Sequence, residues 1–309
     1  MNFSDIPKRH QPKDRQSSLT ANRAVTQELS SILAEETQSI SCLIVRGHVS
    51  RILGVGRIRG TSLHASNIAV QSHLSSAFGE IVGREWEIGG ARDHRLLTFT
   101  PDMWLISSSA PSTQLVAMRQ QLSRWLRTLD VTSIAFLEIS VFLNHPLAQN
   151  DRFYHWHAHA IAVPNDEAEW RERSKALKAR LGRNSLGKYV FDARKISSTL
   201  LDVEFTSSYV TKNCVTAKRV LGKPGGKEYS LYNAPCPRKD ILRVSEIKSY
   251  LSFPDLIVTT GNPAWQWRQE LMRTLSPDIL RVGSRLNEPE LDRLWRRLSS
   301  FDKRPVVLR

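Results

Sequence analysis

The chain has 309 residues, of which 40% are hydrophobic, so it can bury a substantial core in one large or two ordinary domains. Its formal net charge of +14 indicates a polyanionic partner, and no apolar run approaches the roughly 20 residues that span a bilayer, which favours nucleic acid over a membrane. The three scattered cysteines form no CxxC pair, and no signal segment opens the chain, so we expect a cytoplasmic protein without a zinc ribbon.

The first 20 residues are polar and basic, and we predict that they form a disordered tail. The segment that follows, about residues 21–222, carries every motif to which chemistry can be assigned, and we predict that it is the main domain. Within it, Arg95 to Thr100 alternates like a strand, and Pro101 ends the pattern. Leucine and methionine then recur at helical spacing over residues 113–129, with arginines interspersed.

A strong strand pattern covers Ile134 to Phe142 and places one carboxylate, Glu138, among apolar neighbours. A loop leads from it to a second strand pattern, in which three histidines occupy alternate positions: His155, His157 and His159. Because successive side chains of a strand alternate between faces, the histidines share one face, and tryptophan and alanine fill the other.

If the two strands pair antiparallel, Glu138 can face the same way as His157 and His159. Neutral imidazole is the commonest protein metal ligand, and one Glu with two His suits Mn²⁺ or Mg²⁺ while leaving positions for an oxygen ligand. We therefore predict a metal site formed by Glu138, His157 and His159. His155 lies at the mouth of the strand, and two roles stay open for it: a DNA contact, or a ligand in place of Glu138.

Basic residues accumulate after the histidine strand. Residues 166–181 predict an amphipathic helix, and the segment from Arg171 to Lys195 carries nine basic side chains against two acidic ones. We predict that this segment contacts DNA phosphates, with an ordinary solvated helix face as the alternative for its first part.

A further helical pattern runs from about residue 203 to 220 and carries Tyr209 and Lys212. Residues three apart are neighbours on a helix surface, so these two side chains share a face. A tyrosyl hydroxyl has an ordinary pKa of about 10, and a nearby cation would help it attack a phosphodiester. Tyr209 is therefore a candidate nucleophile, with an ordinary pair of side chains on a helix surface as the alternative. Tyr189, Tyr229 and Tyr232 are weaker candidates, because none carries the Tyr-x-x-Lys pattern.

The composition changes after Gly222. Residues 223–227 and 233–239 predict loops or a linker, and residues 240–309 hold short helical patterns rich in Arg, Lys and Trp. We predict a separate, mainly helical C-terminal region that contacts DNA or a partner. The order of elements before it predicts an α+β fold, with a central antiparallel sheet and helices on one face.

Together these segments resemble the motifs of HUH endonucleases, in particular the rolling-circle replication initiator (Rep) proteins of plasmids. The strand from Leu96 to Thr100 resembles the family's first motif, of the type Phe-Leu-Thr-Leu-Thr. The histidine strand resembles the second motif, whose last two histidines are metal ligands, here His157 and His159. The strand around Glu138 resembles the one that supplies the third, acidic ligand.

The stretch from Tyr209 to Lys212 resembles the third motif, in which the tyrosine attacks DNA and the lysine assists. The motif departs from the Lys-Tyr-x-x-Lys-Tyr that the family often shows, since Ser208 precedes the tyrosine and Asn213 replaces the second one. That departure removes a two-tyrosine mechanism at this site. The resemblance covers about residues 95–215.

The resemblance implies an HUH-type sheet and metal-dependent nicking and joining of DNA at a plasmid origin. Tyr209, assisted by Lys212, would form a 5′-phosphotyrosine link, and Mn²⁺ or Mg²⁺ would be the cofactor. Single-stranded and origin duplex DNA would be the partners, together with host helicase and polymerase, and the C-terminal region would serve origin recognition. The oligomeric state stays open.

Three alternatives stay open beside this interpretation. A histidine triad nucleotide hydrolase or transferase is one, because His155 to Ile161 fits its alternating signature. A non-catalytic DNA-binding protein that retains the same sheet is another. An HUH relaxase or transposase would share the chemistry and differ in its biological role.

Overall fold

The structure is a computed structural model of the chain. It describes residues 15–38, 49–50, 52–54, 64–89, 93–107, 112–147, 152–196, 199–211, 216–222, 229–274 and 307–308. The first 14 residues of the predicted tail lie outside this range, and its last residues begin a helix at Arg15.

The described part of the chain contains seven α-helices and ten strands. The helices are α1 (Arg15–Gln38), α2 (Ile68–Ile88), α3 (Leu115–Leu129), α4 (Glu167–Leu181), α5 (Leu200–Val210), α6 (Arg238–Ser249) and α7 (Asn262–Arg273). The strands are β1 (Arg95–Phe99), β2 (Leu105–Ser107), β3 (Ser112–Thr113), β4 (Val131–Leu143), β5 (Arg152–Pro164), β6 (Phe191–Lys195), β7 (Thr216–Gly222), β8 (Tyr229–Pro235), β9 (Ile257–Thr260) and β10 (Val307–Leu308). The predicted α+β class is confirmed.

One sheet organises the fold, and β4 and β5 are its long central strands. The main path through the sheet is β6-β1-β5-β4-β7-β8, with β2 paired to β5 and β9 paired to β4. The sheet is mixed, because β7 runs parallel to β4 while the other pairs are antiparallel. A separate parallel pair joins β3 to β10.

Both faces of the sheet are covered, which corrects the expectation of helices on one face. One core contains Trp156 of β5 with apolar residues of α3 and α4. The other contains Ile161 of the same strand with apolar residues of α2, α5 and α7. The three histidines of β5 lie on this second face. They are polar residues, yet all three are buried.

The two outer partners of β4 leave a break between them. The register pairs β9 with residues 133–136 of β4 and β7 with residues 141–143. Within the described residues, the four positions between these pairings, Leu137 to Ser140, are hydrogen-bonded to β5 alone. Glu138 is one of the four, so the predicted acidic ligand lies where the sheet splits.

Two elements after Val210 differ from the sequence-based expectations. The helix predicted over residues 203–220 ends at Val210, and β7 begins at Thr216. The segment from residue 233 was expected to be a loop, but its first residues belong to β8, a half-exposed strand with few apolar positions. Residues 223–227, the other predicted loop, lie outside the described residues.

Part of the predicted C-terminal region is described, and it packs onto the central sheet. After α6, β9 adds to the central sheet beside β4, and Phe253, Ile257 and Trp267 join the core that contains the histidine face. Residues 238–274 are therefore part of the same folded unit. The tryptophan and arginine patterns after residue 274 lie outside the described residues, and no described helix has the length and apolar character needed to span a membrane.

Candidate metal centre

The hairpin formed by β4 and β5 sets the predicted ligands side by side. Glu138 and His157 are direct partners in the antiparallel register, and partners across a ladder point to the same face of the sheet. His159 lies two positions further along β5 and therefore shares that face. The strand pairing that the sequence suggested thus brings the three side chains together.

The ring of His157 lies against the carboxylate of Glu138, with 3.4 Å between His157 Nε2 and Glu138 Oε2. Its other nitrogen, Nδ1, lies 3.3 Å from the carbonyl oxygen of His155. A carbonyl oxygen can only accept, so Nδ1 carries the proton, and in the neutral ring Nε2 presents its lone pair to the carboxylate. In that tautomer, His157 Nε2 and Glu138 Oε2 could both bind one cation.

His159 is held from the neighbouring strand β1. Its Nδ1 lies 3.1 Å from Thr98 Oγ1, and the two residues are register partners. Metal-ligating histidines commonly bind a second group through the nitrogen that does not hold the ion, and that contact fixes the orientation of the ring. Thr98 is in this position for His159, so Nε2 is the nitrogen that could hold an ion.

The donor set fits a divalent cation. One ligand atom from each of Glu138, His157 and His159 lies within 4.8 Å of the other two. His159 is 1% exposed and His157 8% exposed, and the Glu138 side chain is 9% exposed. Glu138 Oε1 is buried without a hydrogen-bond partner in the described part of the chain, which is costly for a carboxylate oxygen unless a cation satisfies it. The group could therefore bind a metal ion.

His155 has a different environment from the other two histidines. It is buried, and its Nε2–H donates to the Pro101 carbonyl oxygen at 3.0 Å. Burial, followed by the nearby charge of His157, lowers the pKa of His155 to about 3, so the ring is neutral near pH 7. Two roles were left open for His155, a DNA contact and a metal ligand in place of Glu138. Its burial and its hydrogen bond to the Pro101 carbonyl give support to neither role.

Tyr209 comes close to the metal centre from helix α5. Its ring centroid is 5.9 Å from that of His159, and the rings are arranged edge to face. Helix α5 begins after the cap residue Thr199, whose side chain accepts a hydrogen bond from Asp202 N, and it packs against α2 on the histidine face of the sheet. Lys212, the predicted assistant of Tyr209, lies outside the described residues.

Helix α2 fixes the end of α5 that carries Tyr209. Ser75 Oγ donates to the carbonyl of Ser208 at 2.6 Å, and Gln71 Nε2 donates to that of Thr211 at 3.2 Å. These two carbonyls belong to the last turn of α5, where the helix itself leaves carbonyl groups unsatisfied. The docking therefore holds the backbone on both sides of Tyr209.

Two glycines allow the helices to approach this closely. A methyl group at Gly79 would lie 2.4 Å from Ser208 Oγ, and one at Gly83 would lie 2.8 Å from Glu204 Cγ. Sequence reasoning did not identify this contact or the role of Thr98. The spacing of Gly79 and Gly83, four residues apart on one helix, was the available signal for the first, and the alternation of β1 for the second.

The basic segment that the sequence selected for DNA contact is largely paired with carboxylates. Arg171 lies near Glu167, Arg173 near Glu169 and Asp130, and Lys178 and Arg194 near Asp192, while Lys195 pairs with Asp93. The count of nine basic against two acidic residues covers only residues 171–195. It leaves out carboxylates from other segments that contact these side chains in the fold, such as Asp93 and Asp130. Much of the positive charge on α4 and β6 is therefore compensated locally.

Comparison of the chain with protein-family models, with curated proteins and with solved structures finds no match.

Proposed function

We propose that the chain is a metal-dependent DNA nicking and joining enzyme of the rolling-circle initiator type, which acts at a plasmid origin through a 5′-phosphotyrosine on Tyr209. The observation that carries the proposal is the short distance between a tyrosine ring and a metal-competent group. The ring of Tyr209 lies 5.9 Å from that of His159, which with His157 and Glu138 could bind an ion. This pairing of residues supports attack by a phenol on a phosphodiester.

Glu138, His157 and His159 would hold the ion, and a set of one oxygen and two nitrogen ligands suits Mn²⁺ or Mg²⁺. When bound, a divalent cation supplies positive charge that polarises a scissile phosphate. Thr98 keeps the His159 ring in place, and the carbonyl of His155 does the same for His157. The docked end of α5 keeps Tyr209 next to this group.

The reaction proposed for Tyr209 is a transesterification. Its Oη forms a bond to phosphorus, the bond from phosphorus to the 3′-oxygen breaks, and the leaving oxygen takes a proton to become a free 3′-hydroxyl. The phenolic proton passes to solvent. Since the phosphotyrosine keeps the ester bond, attack by a 3′-hydroxyl can reverse the step and rejoin a strand without ATP. Lys212 is proposed to neutralise the phosphate during attack.

The proposed partners follow from this reaction. Tyr209 can reach a phosphate only where the strand is accessible, so the cleaved partner would be single-stranded DNA within a duplex origin. Host helicase and polymerase would use the displaced strand and the 3′-hydroxyl. A relaxase or a transposase would employ the same residues, and the position of the nick in a natural plasmid would distinguish these roles.

The test is a covalent adduct between the protein and single-stranded circular DNA in the presence of Mn²⁺. We expect wild type to form an adduct that survives denaturation, with the nucleotide on Tyr209 by mass spectrometry. Tyr209→Phe should form none, because the phenylalanine ring has no nucleophile. Tyr232→Phe is the matched comparison, since Tyr232 is 55% exposed on β8 and lacks the Tyr-x-x-Lys pattern; loss of the adduct in this variant instead would reject Tyr209 as the nucleophile.

A second comparison tests the metal ligands. His157→Ala/His159→Ala should form no adduct yet still bind DNA, because binding depends on phosphate contacts elsewhere on the surface. An adduct that persists in chelator would contradict the proposed metal site. A wild-type protein that forms no adduct but hydrolyses nucleotides without metal would favour the histidine triad interpretation, and binding without either reaction would favour a non-catalytic protein.

A further inference from the structure

A groove of about 460 Å³ lies beside strand β9 and is lined by residues of α3, β9 and α7, none of which is proposed for chemistry. We call it the arginine groove. Helix α3 contributes Arg119, Arg124 and Arg127, helix α7 contributes Arg268, and strand β9 lines it between them. Four guanidinium groups around one open groove form a strong concentration of positive charge.

The arginines of α3 in the groove differ from the basic residues of α4, which pair with carboxylates. None of Arg119, Arg124 and Arg127 forms an ion pair with a carboxylate in the described part of the chain, and Arg124 and Arg127 are exposed. By contrast, Arg173 on α4 contacts two carboxylates, those of Glu169 and Asp130. The arginines of the groove can therefore bind an anionic ligand, whereas much of the charge on α4 is neutralised by carboxylates of the protein.

Arg268 shows that cations crowd this groove. Burial, followed by the charge of Arg119, lowers the pKa of the Arg268 guanidinium. The charge of Asp255 acts in the opposite direction on Arg268, and Oδ2 of that carboxylate already accepts hydrogen bonds from Ser252 N and Ser252 Oγ at 2.8 and 2.6 Å. An anion in the groove would relieve the repulsion between the two arginines.

The shape of the groove favours an extended polyanion over a small one. Arg119 and Arg127 are eight residues apart on one helix, which separates them by about 12 Å along its axis. A strand of duplex DNA rises about 3.4 Å per nucleotide, so the three arginines of α3 span roughly three to four phosphates. Their planar guanidinium groups suit phosphate oxygens, which they can bind in pairs.

The groove also lacks what a single strand would need. Proteins that hold single strands stack the bases on aromatic rings, and the residues that line this groove include no Phe, Tyr, Trp or His. In a duplex the bases are paired and stacked inside, and the phosphates are the accessible groups. An aliphatic and arginine-rich lining therefore matches the outside of a duplex.

We propose that the arginine groove binds the phosphate backbone of duplex DNA. The choice of DNA as the polyanion rests on the proposed function, since charge alone would also suit other polyanions. Strand β9, which lines the groove, pairs with β4 at residues 133–136, immediately before Glu138. Duplex held there would lie against β9, the direct sheet neighbour of the strand that carries the acidic ligand.

The test measures binding of a labelled 30-base-pair duplex by fluorescence anisotropy at about 0.1 M salt, with EDTA present so that no cleavage occurs. The groove variant is Arg119→Gln/Arg124→Gln/Arg127→Gln. The control variant, Arg171→Gln/Arg173→Gln/Lys178→Gln, removes the same amount of charge from positions that are paired with carboxylates. The single exposed change Arg124→Glu provides a second groove variant if the triple change alters thermal unfolding.

We expect the groove variant to bind duplex at least roughly tenfold more weakly, and the slope of log affinity against log salt to fall by about two to three, near 0.9 for each lost phosphate contact. The control should stay within about twofold of wild type. Equal binding by the groove variant and wild type would overturn the inference. So would an equal loss for single-stranded DNA, or displacement of duplex by a poly-glutamate peptide at matched charge.

These outcomes are independent of the nicking reaction. If the groove variant binds duplex normally while wild type forms the Tyr209 adduct, only the groove inference fails. If duplex binding depends on the groove but wild type forms no adduct, only the proposed function fails.

Discussion

Each histidine of the candidate metal centre, His157 and His159, is held through one ring nitrogen, and the other nitrogen could bind an ion. His157 uses a backbone carbonyl for this purpose, which a side-chain substitution cannot remove. His159 uses the hydroxyl of Thr98, which a substitution can remove. Thr98 is therefore the residue at which the orientation of a ligand can be tested without changing a ligand.

We expect Thr98→Val to weaken Mn²⁺ binding by roughly 10- to 100-fold, the usual cost of losing such an outer contact. Valine has nearly the shape of threonine and keeps the preference for a strand, so the loss should reflect the hydroxyl and not the fold. Isothermal titration calorimetry with Mn²⁺ measures the affinity directly. The comparison is Thr100→Val, which removes a hydroxyl near Tyr189 O and Asn184 but none from a ligand. Equal affinities for both variants would argue against the role of Thr98.

At the scale of elements, the position of Tyr209 depends on how closely α5 approaches α2. At Gly79 an added methyl group would lie 2.4 Å from Ser208 Oγ and 3.0 Å from the carbonyl oxygen of Glu204. The serine hydroxyl can rotate, but the carbonyl belongs to the helix backbone, so α5 must shift by about a few tenths of an ångström to make room. Such a movement would carry Tyr209 away from His159.

We expect Gly79→Ala to reduce the rate of Tyr209 adduct formation more than it reduces stability. Alanine favours a helix by about 1 kcal/mol over glycine, whereas overpacking costs about 1–3 kcal/mol, so the net loss of stability should be of order 1 kcal/mol. Single-turnover cleavage and urea unfolding measure the two effects. At Gly222 an added methyl group meets nothing closer than 3.6 Å, so Gly222→Ala should change neither. A Gly79→Ala variant with wild-type cleavage would show that this approach does not position Tyr209.

The central strands and the grouping of Glu138, His157 and His159 could be predicted from the sequence, because both depend on local alternation. The apolar run of β4 and the alternate histidines of β5 identify two strands, and a short loop between them requires antiparallel pairing. From that pairing, the position of Glu138 opposite His157 follows by register alone. The α+β class followed from the same elements.

Other elements could not be predicted, because their signals are tertiary. Strand β8 is half exposed and has no apolar stripe, and β9 is a four-residue strand that forms only because β4 has an open edge beside it. Helices α2 and α5 cover the face of the sheet that carries the histidines. The alternating pattern of β5 cannot predict which helices cover that face. The compensation of the basic segment likewise involves Asp93 and Asp130, which are distant in sequence.

At the scale of the whole molecule, residues 238–274 complete the core. They supply Ile247, Leu251 and Val258 to the core that contains Trp156, and Ile257 and several neighbours to the core on the histidine face. Both faces of the sheet would lose apolar contacts without them. The described part of the predicted C-terminal region thus contributes to the cores on both faces of the sheet.

We therefore expect a chain that ends at residue 238 to be unfolded or aggregated, and to cleave no DNA. Removal of β9 exposes the edge of β4, and removal of α7 uncovers Phe78 and Ile134 of the core beneath it. Circular dichroism and size-exclusion chromatography of the shortened chain, beside the full chain, measure the effect. A folded monomer that still forms the Tyr209 adduct would mean that the two parts are separate domains after all.

The pairing of β4 with β9 also sets an order of events during synthesis. Ser133 Oγ and Thr260 Oγ1 lie 2.8 Å apart, yet 127 residues separate them in the chain. At a translation rate of roughly 5–20 residues per second, the ribosome needs about 6–25 seconds to make the intervening segment. During that interval β4 has a long apolar edge and no β9 to cover it, a state that invites pairing with another nascent chain. The strand that carries Glu138 is thus among the earlier parts of the sheet to be made, and its edge is among the later parts to be protected.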